Sequence, residues 1–76
     1  MAHKRNILLK FGARVRKERL SRGLSQERLG EIAHMHRTYI GMIERAEKNI
    51  TLTNIEKLAS ALGMSIEKLT TGISSS

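Results

Sequence analysis

Arg37 and Thr38 stand together near the front of the stretch HMHRTYIGMIER, His34 to Arg45, in which Ile40 and Ile43 keep helical spacing. Arginine presents a rigid fork of N–H donors that pairs bidentately with guanine, and threonine offers a hydroxyl or a methyl group to adenine or thymine. At about 100 degrees per residue, Ile40, Ile43 and Glu44 point one way while Thr38, Gly41, Met42 and Arg45 span the other side, with Arg37 at its edge. Taken as a charged helix surface alone, this is a solvated polar face. Its context favours recognition instead: Arg and Thr hold the first two helical positions, from which a recognition helix reaches base edges, and Gly41 one turn later lets the backbone come close to DNA.

Other chemistries fit the same residues less well. His34 and His36 are two apart, a spacing that does not face on a helix, and no third ligand is evident, so neither metal nor cofactor is expected. The absence of cysteine excludes disulfides, thiol catalysis and cysteine-ligated zinc together, and suits a cytoplasmic setting. No nucleophile, base and orienting group form a set, so an enzyme is not expected.

The 14 Lys and Arg against seven Asp and Glu leave a formal charge of +7 on 76 residues, which favours a polyanionic partner, nucleic acid before an anionic membrane. Lys4, Arg5, Lys10, Arg14, Arg16 and Lys17 crowd the N-terminal segment, but their alternation with the core residues Phe11 and Val15 leaves no apolar face to insert into a bilayer. The longest apolar run, Ile7 to Leu9, is far short of a membrane span, and no signal-type stretch follows the basic N-terminus. The chain is expected to be soluble and unprocessed, with no membrane partner.

The elements that must position Arg37 and Thr38 follow from a repeated pattern. Four times an apolar residue precedes a polar cap, three residues follow, and a second apolar residue closes the unit: Leu24-Ser25-QER-Leu29, Met35-His36-RTY-Ile40, Ile50-Thr51-LTN-Ile55 and Met64-Ser65-IEK-Leu69. Each has the form of a hydrophobic staple around a helix start. Ser25, Thr51 and Ser65 are good caps and His36 is a poor one. An amphipathic segment from about Ile7 to Arg22, with Phe11, Val15 and Leu20 facing inward and Gly23 as its stop, completes five helices. Helices 2 and 3 are separated by a turn short enough for a helix-turn-helix, and Gly30 lies where they would approach most closely. Residues 1–76 are read as one domain, 7–70 as its five-helix core, 26–45 as the helix-turn-helix and 71–76 as a flexible tail.

The pattern RKERLSRGLSQERLGEIAHMHRTYIGMIERAEKNITL resembles the helix-turn-helix domain of the Cro/C1-type (xenobiotic-response-element) regulators, and RTYIGMIERAEKNITL is similar to restriction-modification controller proteins. The likeness rests on the order and spacing of Arg19, Gly23, Leu24, Gln26, Leu29, Ile40, Ile43 and Glu44, and it covers roughly Phe11 to Leu69. It implies an all-α, compact, lambda-repressor-like fold and a homodimer that binds double-stranded operator DNA. It further implies that Arg37, Thr38 and Met42 face the major groove, that Gln26 clamps a phosphate, and that Arg45, Lys48 and Asn49 hold the backbone. Ser25, His36 and Tyr39 join the candidate phosphate contacts; Tyr39 could equally complete the rim of the core with its hydroxyl in water. Arg19 and Glu44 occupy the positions of an ion pair that ties helix 1 to helix 3. Two positions depart from the family pattern: His34 stands where Gly or Asn is usual and a positive φ is expected, and His36 where Ser, Thr or Asp is common.

One recognition helix reads only a few base pairs, so a twofold pair on a pseudo-palindrome is expected. Met64, Ile66, Leu69 and Ile73 are the candidate dimer interface. RNA polymerase is a further candidate partner of an autoregulating transcription factor of this kind. The rival reading is an antitoxin or adaptor whose main partner is another protein.

Overall fold

Four helix starts in this chain obey one local rule. In the computed structural model, which describes the backbone of residues 2–73 and the side chains of residues 6–73, the chain forms α1 (Ala2–Ser21), α2 (Gln26–Ala33), α3 (Arg37–Glu44), α4 (Leu52–Ala61) and α5 (Ile66–Thr70). Ser25, Thr51 and Ser65 hold extended backbone before α2, α4 and α5, and their hydroxyl oxygens accept from the N–H groups of Arg28, Asn54 and Lys68 at 2.9, 3.1 and 3.1 Å. Each cap satisfies one donor that the first turn of a helix leaves unpaired. His36 caps α3 with a ring nitrogen instead: Nδ1 accepts from Thr38 N–H at 3.0 Å. A residue type that caps poorly as a class does so here because the imidazole reaches the second N–H of the helix.

The helix ends repeat as well. Gly23, His34, Ala46 and Gly63 take left-handed backbone, with φ of 68, 60, 62 and 70 degrees. In each case the next residue's N–H returns to a carbonyl five positions back: Leu24 to Arg19, Met35 to Gly30, Glu47 to Met42 and Met64 to Ala59, at 3.1, 2.8, 2.8 and 2.8 Å. This turn reverses the chain within three residues and satisfies the last carbonyls. Where the residue is His34 or Ala46, the left-handed backbone costs about 1–2 kcal/mol that glycine would avoid.

The first helix differs from expectation at both ends. It begins at Ala2 rather than near Ile7, since Ala2 to Asn6 contain no helix breaker. Leu20, expected to face inward, is 53% exposed. At about 100 degrees per residue it lies half a turn of the helical wheel away from Phe11, and the inward row of Phe11 and Val15 continues to Arg19 instead.

The core comprises Phe11, Val15, Leu29, Ala33, Ile40, Ile43, Leu58, Ala59, Leu62 and Leu69, with Leu24, Met35, Ile50, Ile55 and Met64 half-buried against it. The stapling residues therefore lie where the repeated pattern places them. Leu69, expected at a dimer interface, is 0% exposed: as the fourth residue of α5 it points into the chain's own core and has no surface left for a partner. Ile66, Met64 and Ile73 are half-buried at its edge. After α5, Thr71 to Ile73 form a turn held from α1, where Arg14 Nη2 donates to Thr71 O at 2.7 Å. Residues 74–76 of the expected flexible tail lie outside the described residues.

The pair α2 and α3 packs closely, and α3 also lies against α1. Both approaches depend on glycine. A Cβ on Gly12 would lie 2.5 Å from Ile43 O and 2.8 Å from Glu44 O, and one on Gly30 would strike Met35 O. Backbone cannot move aside as a flexible side-chain tip can. Gly30→Ala is therefore expected to destabilise the chain by about 3 kcal/mol, in the upper part of the range for an overpacked core. Chemical denaturation monitored by circular dichroism measures this, and a loss below about 1 kcal/mol would show that the turn relaxes freely.

Candidate nucleic-acid interface

The packing of α3 divides its residues more sharply than the sequence pattern does. Ile40, Gly41 and Ile43 are buried, Arg37 and Thr38 are exposed, and Tyr39 and Met42 are half-buried. Gly41, expected to lie open on the outer face, is covered by two neighbouring side chains. A Cβ there would come within 3.0 Å of Arg45 Nη1 and 3.4 Å of Gln26 Oε1. Gly41 thus permits a close approach, but of this chain's own polar groups.

The other candidates flank α3 along the chain. Gln26 opens α2 beside the far end of α3, Ser25 precedes it, Arg45 caps α3, and Lys48 and Asn49 follow, both exposed, in the loop to α4. Ser25 Oγ and His36 Nδ1 act as acceptors in their caps, leaving the hydroxyl proton of Ser25 and the second ring nitrogen of a singly protonated His36 as donors. Tyr39 packs its ring against the core and its hydroxyl accepts from Asn54 Nδ2 of α4 at 3.1 Å. That bond leaves the phenolic proton available to an outside acceptor.

Two of the basic candidates have acidic neighbours that the sequence pattern does not announce. Arg37 Nη1 lies 3.8 Å from Glu27 Oε2 of α2, and Arg45 donates from Nε and Nη2 to Glu47 Oε2 and Oε1 at 3.1 and 3.3 Å. The Arg45 and Glu47 side chains meet because the left-handed turn at Ala46 folds the loop back. An alanine in that conformation has no sequence signature, so the neighbour could not be read in advance.

Beneath this surface lies a buried polar cluster. Arg19 Nε and Nη2 donate to Glu44 Oε2 and Oε1 at 2.7 and 3.0 Å, with side chains 7% and 3% exposed. Arg19 Nη1 donates to Leu24 O at 2.9 Å, and Gln26 Nε2 donates to Glu44 Oε1 at 3.1 Å. The hydrogen bond to Glu44 raises the pKa of Arg19 above its ordinary value, with burial acting in the opposite sense and the Glu44 charge adding to the rise. The guanidinium therefore stays charged across the accessible pH range. Among the described residues, no group of His, Asp and Glu could hold a metal, and no helix is long and apolar enough to cross a membrane. The side chains of Lys4 and Arg5 lie outside the described residues.

Comparison with known proteins bears on what this surface meets. Residues 15–69 match the Helix-turn-helix family. The chain is 52% identical over 60 residues to control protein C.BamHI of Bacillus amyloliquefaciens, covering 78% of this chain and 74% of that one. It is 53% identical over 57 residues to control protein C.SmaI of Serratia marcescens, covering 75% and 68%. Its fold superposes with a TM-score of 0.80 on the crystal structure of the restriction-modification controller protein C.AhdI from Aeromonas hydrophila, at 45% identity, covering 82% of this chain and 94% of that one.

The buried cluster generates a stability prediction. Arg19→Ala or Glu44→Ala strands an ion away from water and is expected to cost about 3–5 kcal/mol. Arg28→Ala, which removes one partner of the exposed pair with Glu31, should cost at most about 1 kcal/mol. Thermal unfolding of the three variants compares them directly, and an Arg19→Ala curve that overlays Arg28→Ala would show the cluster to be of no consequence.

Proposed function

This chain belongs to the helix-turn-helix family of DNA-binding transcription regulators, of the restriction-modification controller type, and from that premise we propose that it binds a pseudo-palindromic operator as a homodimer, with α3 in the major groove. The observation that carries the proposal is the exposed front of α3. Arg37 and Thr38 stand exposed at its first two positions, and Arg45, Lys48 and Asn49, exposed as well, follow its last. In this reading Arg37, Thr38 and Met42 contact bases. Ser25, Gln26, His36, Tyr39, Arg45, Lys48 and Asn49 hold phosphates, and the positive end of α2 favours an anion there.

The helix α3 has eight residues and so runs only about 12 Å, which spans a few base pairs. Discrimination within a genome then requires a second copy on the same site. Met64, Ile66 and Ile73, apolar and only half-buried in one chain, are the residues proposed to meet their counterparts in the partner. The likeness to control proteins supports autoregulation and control of a restriction-modification operon, with the protein acting in the cytoplasm where the DNA is. A dimer seated beside a promoter is placed to touch RNA polymerase. The same likeness favours this reading over an antitoxin or adaptor whose main partner is another protein.

Selection of bound duplexes from a random pool tests the proposal, and a twofold-symmetric consensus is the expected result. Binding to it should weaken with salt, log K against log salt falling with a slope of about −5 to −9 if a dimer neutralises about 6–10 phosphates. A slope near zero for every duplex would remove DNA as the partner.

Base reading and phosphate holding separate under mutation. Arg37→Ala should cost about 1–3 kcal/mol per half-site on the selected duplex and relax preference at one position. Lys48→Ala should weaken selected and random duplexes by the same factor. Titrations on both duplexes, with folding checked by circular dichroism, distinguish the two; an equal loss on both for Arg37→Ala would make Arg37 another phosphate contact.

A further inference from the structure

Arg45 is held on two sides in the free chain. Its guanidinium folds back over Gly41 beside Gln26, in space that a Cβ on residue 41 would close to 3.0 Å. On the solvent side the Glu47 carboxylate grips it with two hydrogen bonds, Nε to Oε2 at 3.1 Å and Nη2 to Oε1 at 3.3 Å. That two-point grip is the geometry in which an arginine fork takes a phosphate. The backbone sets it up, since the left-handed turn at Ala46 and the bond from Glu47 N–H to Met42 O, at 2.8 Å, bring side chains 45 and 47 together. With 57% and 51% of the two side chains exposed, the pair adds little to folding, so its consequence has to be sought in binding.

We propose that Glu47 is an intramolecular stand-in for a DNA phosphate, which occupies the donor fork of Arg45 in the free protein and must release it before Arg45 can hold the DNA backbone. The inference rests on the reading of Arg45 as a phosphate contact. Because the exchange replaces one anion by another at the same fork, it weakens binding to every duplex by a common factor and leaves sequence preference unchanged. It also alters the salt dependence. The carboxylate set free regains counterions as the phosphate loses them, so Arg45 contributes less than a full phosphate contact to the slope. The contact between Arg37 and Glu27 is longer, at 3.8 Å, and does not form the same two-point grip.

The test compares the full chain with Glu47→Gln, Arg45→Ala, the double variant and Glu67→Gln, by fluorescence anisotropy on a selected duplex and a random one across a salt series. Glu67 is an exposed carboxylate of α5, which packs on α1 and α4, and so controls for net charge alone. Glu47→Gln is expected to tighten both duplexes equally, by about two- to fivefold per half-site at low salt, the range an exposed ion pair permits. Its salt slope should steepen by up to about one unit per half-site, so by up to about two for the dimer. The gain should vanish when Arg45 is already alanine. Unchanged or weaker binding by Glu47→Gln, an equal gain in the Arg45→Ala background, or an equal gain from Glu67→Gln would each overturn the proposal. Failure of the DNA reading looks different: the parent chain itself would bind neither duplex in a salt-dependent way, and the stand-in role would fall with it.

Discussion

One buried carboxylate, that of Glu44, organises the half of the molecule that faces outward. It receives Arg19 from α1 on both oxygens and Gln26 from α2 on one of them, while the third nitrogen of Arg19 closes the turn at Leu24. Taking the two charges out of water is costly, and mutual attraction offsets that cost only if the remaining donors are also satisfied. Here every nitrogen of the guanidinium has an acceptor, and no buried side-chain nitrogen or oxygen among the described residues lacks a partner. The consequence is geometric as well as energetic: the end of α3, the start of α2 and the last turn of α1 are fixed relative to one another by three side chains, Glu44, Gln26 and Arg19. Gln26, proposed to hold a phosphate, is oriented by the same carboxylate that secures the fold.

Net charge overstates what the chain can offer to an external anion. Three arginines of the N-terminal third point into the molecule's own carbonyls. Arg14 donates to Lys68 O, Leu69 O and Thr71 O at the end of α5, and Arg22 donates to Leu62 O at the end of α4, while Arg19 serves Leu24 O. A cation at a helix C-terminus meets unpaired carbonyls and the negative end of the dipole, so these positions are favourable in their own right. The basic character of α1 therefore has a structural component that composition cannot separate from a binding one. The residues left to face DNA in the proposed reading are fewer and nearer to α3.

The parts of the fold legible in the sequence are those determined over four or five neighbouring residues. Ser25, Thr51 and Ser65 with their flanking apolar residues mark helix starts, Gly23 marks an end, and Gly30 marks a close approach, because each signal is local steric or hydrogen-bonding chemistry. What escaped depends on register over longer spans or on contacts between distant segments. Hydrophobicity places Leu20 inward although its angle points it to water, and leaves Leu69 to a partner although the core takes it. Gly12 carries no visible sign that α3 carbonyls will lie against it. The pairing of Arg19 with Glu44 across 25 positions is legible only through family resemblance, since periodicity alone is silent on it. On the candidate surface, residue types and helix position were readable, whereas the acidic partners Glu27 and Glu47 emerged only with the turns in place.

Those partners show how a short helix can have a fixed backbone and yet carry outward side chains that are free to change partner. The backbone of α3 is constrained at its start by the His36 cap and the approach of Gly30, and at its end by the turn through Ala46 and the approach of Gly12 to the carbonyls of Ile43 and Glu44. Its outward side chains are constrained differently, through exposed ion pairs that cost little to break. Positional accuracy then resides in the main chain, where Cβ vectors are set to within the tolerance of packed helices. In the proposed reading, adaptability resides in the tips of Arg37 and Arg45, which exchange a carboxylate for a base edge or a phosphate without disturbing the core. A buried pair in their place would hold the same geometry but would resist the exchange, because removing a partner from a desolvated ion is what costs most. The dry ion pair beneath α3 and the wet ones upon it thus differ in kind: Arg19 and Glu44 are committed to structure, and in the proposed reading Arg37 and Arg45 remain available for contact.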